Sequence, residues 1–188
     1  MLYLGRLHPI KVIDILLESW KAVQFKFPDL ELEIAGPDIY GYLDNLKKIH
    51  DSLKLERVTF SGEVKNNEKN FKYQSADVFI LPSHSENFGV AVTEALSNGI
   101  PCIVSKGAPW GSHEEKNAGW WIANNVDQVV ENLKLVLNFN RETLNEMGSN
   151  GKSWMQSDFN WKKITHMMNQ TYKWVLKRED KPDFVYLK

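Results

Sequence analysis

The stretch DVFILPSHSENFGVAVTEALSNGIPCIVS, residues 77–105, decides the fold. Residues 77–82 are an apolar run closed by Pro82, and 101–105 are a second such run. Neither alternates apolar with polar, so each reads as a strand covered on both faces. Between them, 89–99 carry a helical pattern. A strand, a helix and a strand in so short a span make a βαβ unit, and the two strands of such a unit run parallel. Two acids sit oddly in this unit. Glu86 lies in the polar loop before the helix, and Glu94 lies inside the helix among Ala91, Ala95 and Leu96.

Outward from this unit, the same alternation continues. Strands are expected over 1–4, 30–36 and 57–62, with a sixth over 119–123. Helices are expected over 9–23, where Val12, Ile13, Leu16, Leu17, Trp20 and Val23 recur at spacings of three and four, and over 42–55 and 68–76. Three more follow at 127–138, 141–157 (broken near 148–151 by two glycines) and 161–178, before an extended tail. Pro9 suits the first turn of its helix. The expected fold is therefore α/β: a Rossmann-like, doubly wound parallel sheet of about six strands, with helices on both faces and the last helices over its edge. One domain is expected over 1–180, with 181–188 as a tail.

Composition sets the bounds. Of 188 residues, 43% are hydrophobic, enough for a sizeable core and against disorder. A net charge of −1 argues against a nucleic-acid partner. The single cysteine, Cys102, can form no internal disulfide, which fits a reducing, cytoplasmic setting. No run of apolar residues reaches membrane-spanning length. The opening MLYLGRLHPIK lacks the basic leader and apolar core of a secretory signal. It begins at once on a core strand, which leads us to expect a further segment upstream.

In a doubly wound sheet, ligands bind beyond the carboxyl ends of the strands where the winding reverses. Two strand ends carry unusual chemistry, LGRLHPIK after the first and LPSHSENFG after the fourth, and in the commonest strand order these strands are neighbours. Lys11, read as lying in the first turn of its helix, opposes the helix dipole there. An anion held by Arg6, Lys11 and the helix amides would remove that conflict, and a phosphate suits such a site. A solvated lysine and a surface arginine are the plainer alternative. In the second loop, Asn87 or Ser85 is expected to cap the helix, and Gly89 lets the backbone approach a ligand. Glu86 has a sufficient role as a charge near a helix N-terminus. Glu94, near a packed face, needs partners. The two hydroxyls of a ribose would serve, as would an exposed helix face. The histidines lack zinc spacing, so no metal is expected.

Taken together, GRLHPIK, IAGPD, VTFSGEV and YQSADVFILPSHSENFGVAVTEALSNGIPCIVS resemble the carboxyl-terminal domain of family 4 retaining glycosyltransferases, of the GT-B fold. The resemblance covers about residues 1–180. It implies a nucleotide-sugar donor of the UDP or GDP class and no metal cofactor. It implies that Glu94 holds the ribose, that Glu86 lies near the donor sugar, and that Arg6 and Lys11 bind the diphosphate and stabilise it as it leaves. It further implies that the amides of Asn87, Phe88 and Gly89 touch sugar or phosphate, that Gly62, Glu63 and Val64 lie against the base, and that Gly36 ends the neighbouring strand. The partners implied are an amino-terminal domain absent from this chain and a glycan or lipid-linked acceptor, with the full-length protein in the cytoplasm at the inner face of the membrane. Without that domain, donor binding but little transfer is expected of this chain. Two positions depart from the family pattern, Val12 after the lysine and Asn87 in the loop, where glycine is usual. Two rival readings share the architecture: a nucleotide- or sugar-phosphate-binding module without catalysis, and a sugar-nucleotide epimerase. The spacing Glu86–x7–Glu94 with Arg6 and Lys11 argues against the epimerase.

Overall fold

A computed structural model describes residues 1–186, the side chain at position 66 aside. The last two residues of the expected tail, 187 and 188, lie outside the described residues. Among the described residues, six strands form one sheet: β1 (Leu2–Leu4), β2 (Leu32–Ala35), β3 (Val58–Gly62), β4 (Phe79–Leu81), β5 (Cys102–Ser105) and β6 (Gly119–Ile122). Every pairing is parallel, in the order β3-β2-β1-β4-β5-β6. The winding reverses between β1 and β4, where Leu2 faces Phe79. That is the doubly wound sheet the apolar runs called for. β1, β4 and β5 are buried at every position, as a central strand covered by helices on both faces must be.

Among the described residues there are seven α-helices: α1 (Ile13–Val23), α2 (Tyr42–Leu53), α3 (Asn66–Gln74), α4 (Val90–Ser97), α5 (Val126–Val136), α6 (Arg141–Asp158) and α7 (Trp161–Val175). α1 buries Ile13, Leu16, Leu17, Trp20 and Val23 and packs against α2 and α5. α4 packs against α6, and α3 joins it through Tyr73. Asparagines cap the last three helices. Asn125, Asn140 and Asn160 each accept from the backbone amide three residues on, so each helix start has a local chemical cause.

The structure corrects three sequence expectations about the helices. The helix expected over 9–23 is two pieces. A 3-10 turn at Pro9–Lys11 ends at Val12, which adopts φ 50° and ψ 44°, and α1 starts only at Ile13. Lys11 therefore ends a turn rather than opening a helix, and the proposed conflict with the helix dipole does not arise. Second, α6 runs unbroken through Gly148 and Gly151. Those glycines serve contact: a Cβ on Gly148 would sit 1.8 Å from the Gly99 carbonyl oxygen, and one on Gly151 2.7 Å from Leu96 Cδ2. They bring α6 close onto α4, and the helix absorbs their unfavourable propensity. Third, neither Asn87 nor Ser85 caps α4; its N-cap is Gly89, at φ 82°.

α7 has no buried residue. Trp161 is 84% exposed and Tyr172 is exposed, while Trp174 is half-buried. The tail is not fully extended, since Val185 donates its amide to the Pro182 carbonyl at 3.0 Å. Among the described residues no helix is long and apolar enough to cross a membrane.

Candidate functional site

The reversal between β1 and β4 sets two loops side by side. The first leaves β1 through Gly5, Arg6 and the turn ending at Lys11. The second leaves β4 through Pro82 and runs to Gly89. A backbone hydrogen bond from the His84 amide to the Ile10 carbonyl, 2.8 Å, clamps one to the other. The Glu86 amide donates to the Gly107 carbonyl at 2.9 Å, so the loop after β5 supports it from the far side. Trp110 completes that support. Its ring is buried, and its indole Nε1 donates to the Phe88 carbonyl at 2.5 Å.

The clamp makes one close charge pair. Lys11 Nζ lies 2.5 Å from Glu86 Oε1, with both side chains only 12% exposed. Ser83 Oγ donates to the same carboxylate oxygen at 2.7 Å. A buried charge needs this much satisfaction. Arg6 lies at the same strand end, exposed, and its guanidinium forms no ion pair among the described residues. Its carbonyl accepts from the Tyr3 hydroxyl at 3.0 Å. Burial pushes the Tyr3 phenol up; Glu86 adds to that shift and Arg6 opposes it, so both charges act on one buried ring. Of the expected phosphate ligands, then, Lys11 is already matched by an internal carboxylate, and Arg6 has no such partner among the described residues.

Glu94 sits apart from that pair. It projects from α4 towards α3, a third exposed. Its Oε2 accepts from the Tyr73 hydroxyl at 2.8 Å, and its Oε1 meets Lys69 Nζ at 3.3 Å. The partners it needed are present, and sequence reasoning missed both. A signal existed, since Lys69 and Tyr73 are four apart on one helix and so share a face. Ser83 was missed as a loop support for a different reason: only the fold brings it there.

The remaining candidates line the same sheet edge. Asn87 and Phe88 are exposed in the second loop, and Gly89 is buried beneath Trp110. Gly36, at the end of β2, donates its amide to the Gly62 carbonyl at 2.7 Å. A Cβ at position 36 would lie 1.8 Å from the Gly5 carbonyl oxygen, so glycine is required for this close approach. Gly62 closes β3, Glu63 is exposed and Val64 is buried. The ends of β1, β2, β3 and β4 thus carry every candidate position except Glu94, which α4 carries. Trp120 packs on Phe139, and Trp121 donates its Nε1 to the Ala108 carbonyl at 2.9 Å. Among the described residues no three of His, Cys, Asp and Glu are grouped to hold a metal.

Residues 1–154 match the family described as Glycosyl transferases group 1. An uncharacterized glycosyltransferase of Haemophilus influenzae is 30% identical over 168 residues, covering 87% of this chain and 46% of that protein. A GDP-mannose-dependent alpha-(1-6)-phosphatidylinositol monomannoside mannosyltransferase of Mycobacterium tuberculosis is 29% identical over 168 residues, covering 84% of this chain and 43% of that protein. The chain thus spans about half the length of these curated relatives. In fold, it is similar to Anabaena Alr3699/HepE in complex with UDP and glucose, at a TM-score of 0.80, 20% identity, and coverage of 92% of this chain and 47% of that one.

Proposed function

The chain belongs to the glycosyl transferases group 1 family, with the fold of the carboxyl-terminal half of a GT-B enzyme, and from that premise we propose that it is the donor-binding half of a retaining, family 4-type hexosyltransferase. The observation that carries this reading is the clamp at the β1–β4 reversal. It sets the turn bearing Arg6 and Lys11 against the loop bearing Glu86, at the edge of the sheet where such folds take ligands.

In this reading the diphosphate of a nucleotide sugar lies against Arg6 and Lys11. Arg6 forms no ion pair among the described residues, and an ammonium has three donors, of which Glu86 occupies one. As the nucleoside diphosphate leaves, negative charge grows on its oxygens. Two fixed cations and the amides of Asn87, Phe88 and Gly89 stabilise that charge without a metal. Fixed donors of this type are worth on the order of 2–4 kcal/mol each in a barrier. Glu86 holds Lys11 in place and lies beside the donor sugar. Glu94 accepts from the ribose hydroxyls, and the turn Gly62, Glu63, Val64 and the neighbouring Gly36 flank the base. The nucleotide is of the UDP or GDP class; the Mycobacterium relative is named for GDP-mannose and the Anabaena structure holds UDP. The acceptor, a glycan or lipid-linked sugar, binds a further half of the full-length protein, at the inner face of the membrane. This chain alone binds donor and transfers little.

A thermal-shift series with UDP, GDP, ADP and their sugars tests the proposal. Ligand at about 100 times its dissociation constant adds ~2.7 kcal/mol to stability, an easily read shift. One nucleoside diphosphate and its sugar should raise Tm, and Glu94→Ala should weaken the effect. A folded sample that none of them stabilises would overturn the reading.

A further inference from the structure

Resting on the ribose role given to Glu94 above, we infer that Tyr73 is the positioning residue that aims this carboxylate, and that Lys69 holds the ligand's place until a ligand arrives. The two contacts on Glu94 differ in kind. Tyr73 is fully buried, its ring edge-on to Phe79 with centroids 5.8 Å apart, so its hydroxyl has one place to be. That hydroxyl lies 2.8 Å from Glu94 Oε2. Burial, and then the Glu94 charge, push the phenol well above its ordinary range, so it remains a donor. Lys69, by contrast, is a long side chain about a third exposed, and its Nζ reaches Glu94 Oε1 at 3.3 Å.

The setting explains the division. α3 is anchored to the sheet by Lys72, whose Nζ pairs with Glu33 on β2, itself bonded by Ser61 on β3. Tyr73, the next residue, inherits a fixed position. Oε2 is held by a rigid donor and Oε1 by the flexible one, and Glu94 lines a surface cavity of about 370 Å³ together with Lys69, Asn70 and Thr93. A ligand hydroxyl entering there replaces the lysine as donor to Oε1. The flexible partner yields and the buried one does not, because a solvent-exposed ion pair is weak and a buried donor left unpaired is costly.

The test separates this inference from the function it rests on. Calorimetry compares UDP, GDP, their 2′,3′-dideoxy counterparts and inorganic pyrophosphate, with wild type, Tyr73→Phe and Lys69→Met. Wild type should prefer the better ribonucleotide over its dideoxy form by roughly tenfold, as a hydrogen bond to a charged group allows. Tyr73→Phe keeps the ring packing, and should cut that preference to about threefold while pyrophosphate affinity stays within about twofold. Lys69→Met should keep the preference at the wild-type level or above. If wild type shows no preference, the ribose role of Glu94 itself falls. If wild type discriminates and Tyr73→Phe discriminates equally, or weakens all ligands alike, the positioning role falls while the function stands. Collapse of the preference in Lys69→Met would assign the aim of Glu94 to the lysine instead. Should Tyr73→Phe fail to fold, Lys69→Met decides alone: retained preference supports the inference and lost preference overturns it.

Discussion

Glu86 and Glu94 are separated by seven residues, and each is paired with a lysine from another element, yet they are built differently. Glu86 lies in a loop-on-loop clamp, 12% exposed, with Lys11 and Ser83 on one oxygen. Glu94 lies between two helices, 33% exposed, with a buried donor on one oxygen and a partly exposed cation on the other. The difference teaches what each acid is for when nothing is bound. The first completes the structure of the loops, and the second joins two helices at a surface that water reaches.

The largest expected effect would break this contrast if it failed. Lys11→Met leaves Glu86 buried without its cation, which should cost about 3 kcal/mol of stability. Lys69→Met exposes Glu94 to water that already reaches it, and should cost about 0.5 kcal/mol. Denaturant midpoints at unchanged slope read both. Restoring neutrality in Lys11→Met/Glu86→Gln should recover most of the first loss. Equal losses from the two lysine substitutions would mean that burial does not distinguish the sites.

A smaller effect sharpens the contrast through pH. The Glu86 loop leans on Trp110, whose carbonyl meets His113 Nδ1 at 2.8 Å, while His113 Nε2 is buried without a partner among the described residues. Burial lowers the His113 pKa from 6.5 to about 4. A group depressed in the folded state binds more protons when unfolded, so its contribution is complete above pH 6.5 and is lost as pH falls from 6.5 towards 4. Between pH 7 and pH 5 this loss should be about 2 kcal/mol. In His113→Asn, whose amide can replace Nδ1 as donor, the slope over that interval should flatten by the same amount. An unchanged slope would show that the aromatic wall under the Glu86 loop takes no part in acid sensitivity.

How much of this was legible in the sequence depends on range. The apolar runs within 77–82 and 101–105 read as strands covered on both faces, and their alternation with helices called for parallel pairing. The meeting of Lys11 with the Glu86 loop followed from that order, because β1 and β4 adjoin at the reversal. Local backbone was read less well. Pro9 and an apolar periodicity concealed the turn at Val12, and Gly148 and Gly151 looked like a break when their missing side chains let α6 approach α4. Contacts such as Trp110 to Phe88 and Tyr73 to Glu94 join separate elements, and no local pattern specifies them.

The smallest expected effect lies in the two left-handed residues that precede the helices of the two loops. The Glu94 helix starts after Gly89, at φ 82°, where a Cβ would approach Trp110 Nε1 to 3.3 Å. The helix after Lys11 starts after Val12, at φ 50°. A β-branched residue in this region is a genuine outlier, and the left-handed conformation costs roughly 1–2 kcal/mol for an L-residue. Val12→Gly removes that cost, and part of the gain is offset by the freer unfolded chain and the lost methyl contacts. A net gain of about 0.5 kcal/mol is expected. Gly89→Ala runs the other way, adding strain and pressing on the indole, and should cost about 1 kcal/mol or more. Opposite signs in one denaturation series would show that the Lys11 turn carries backbone strain where the Glu94 helix has none. A loss in Val12→Gly would mean instead that the valine's packing outweighs its strain, and that the clamp holding Glu86 depends on that side chain as well as on the lysine before it.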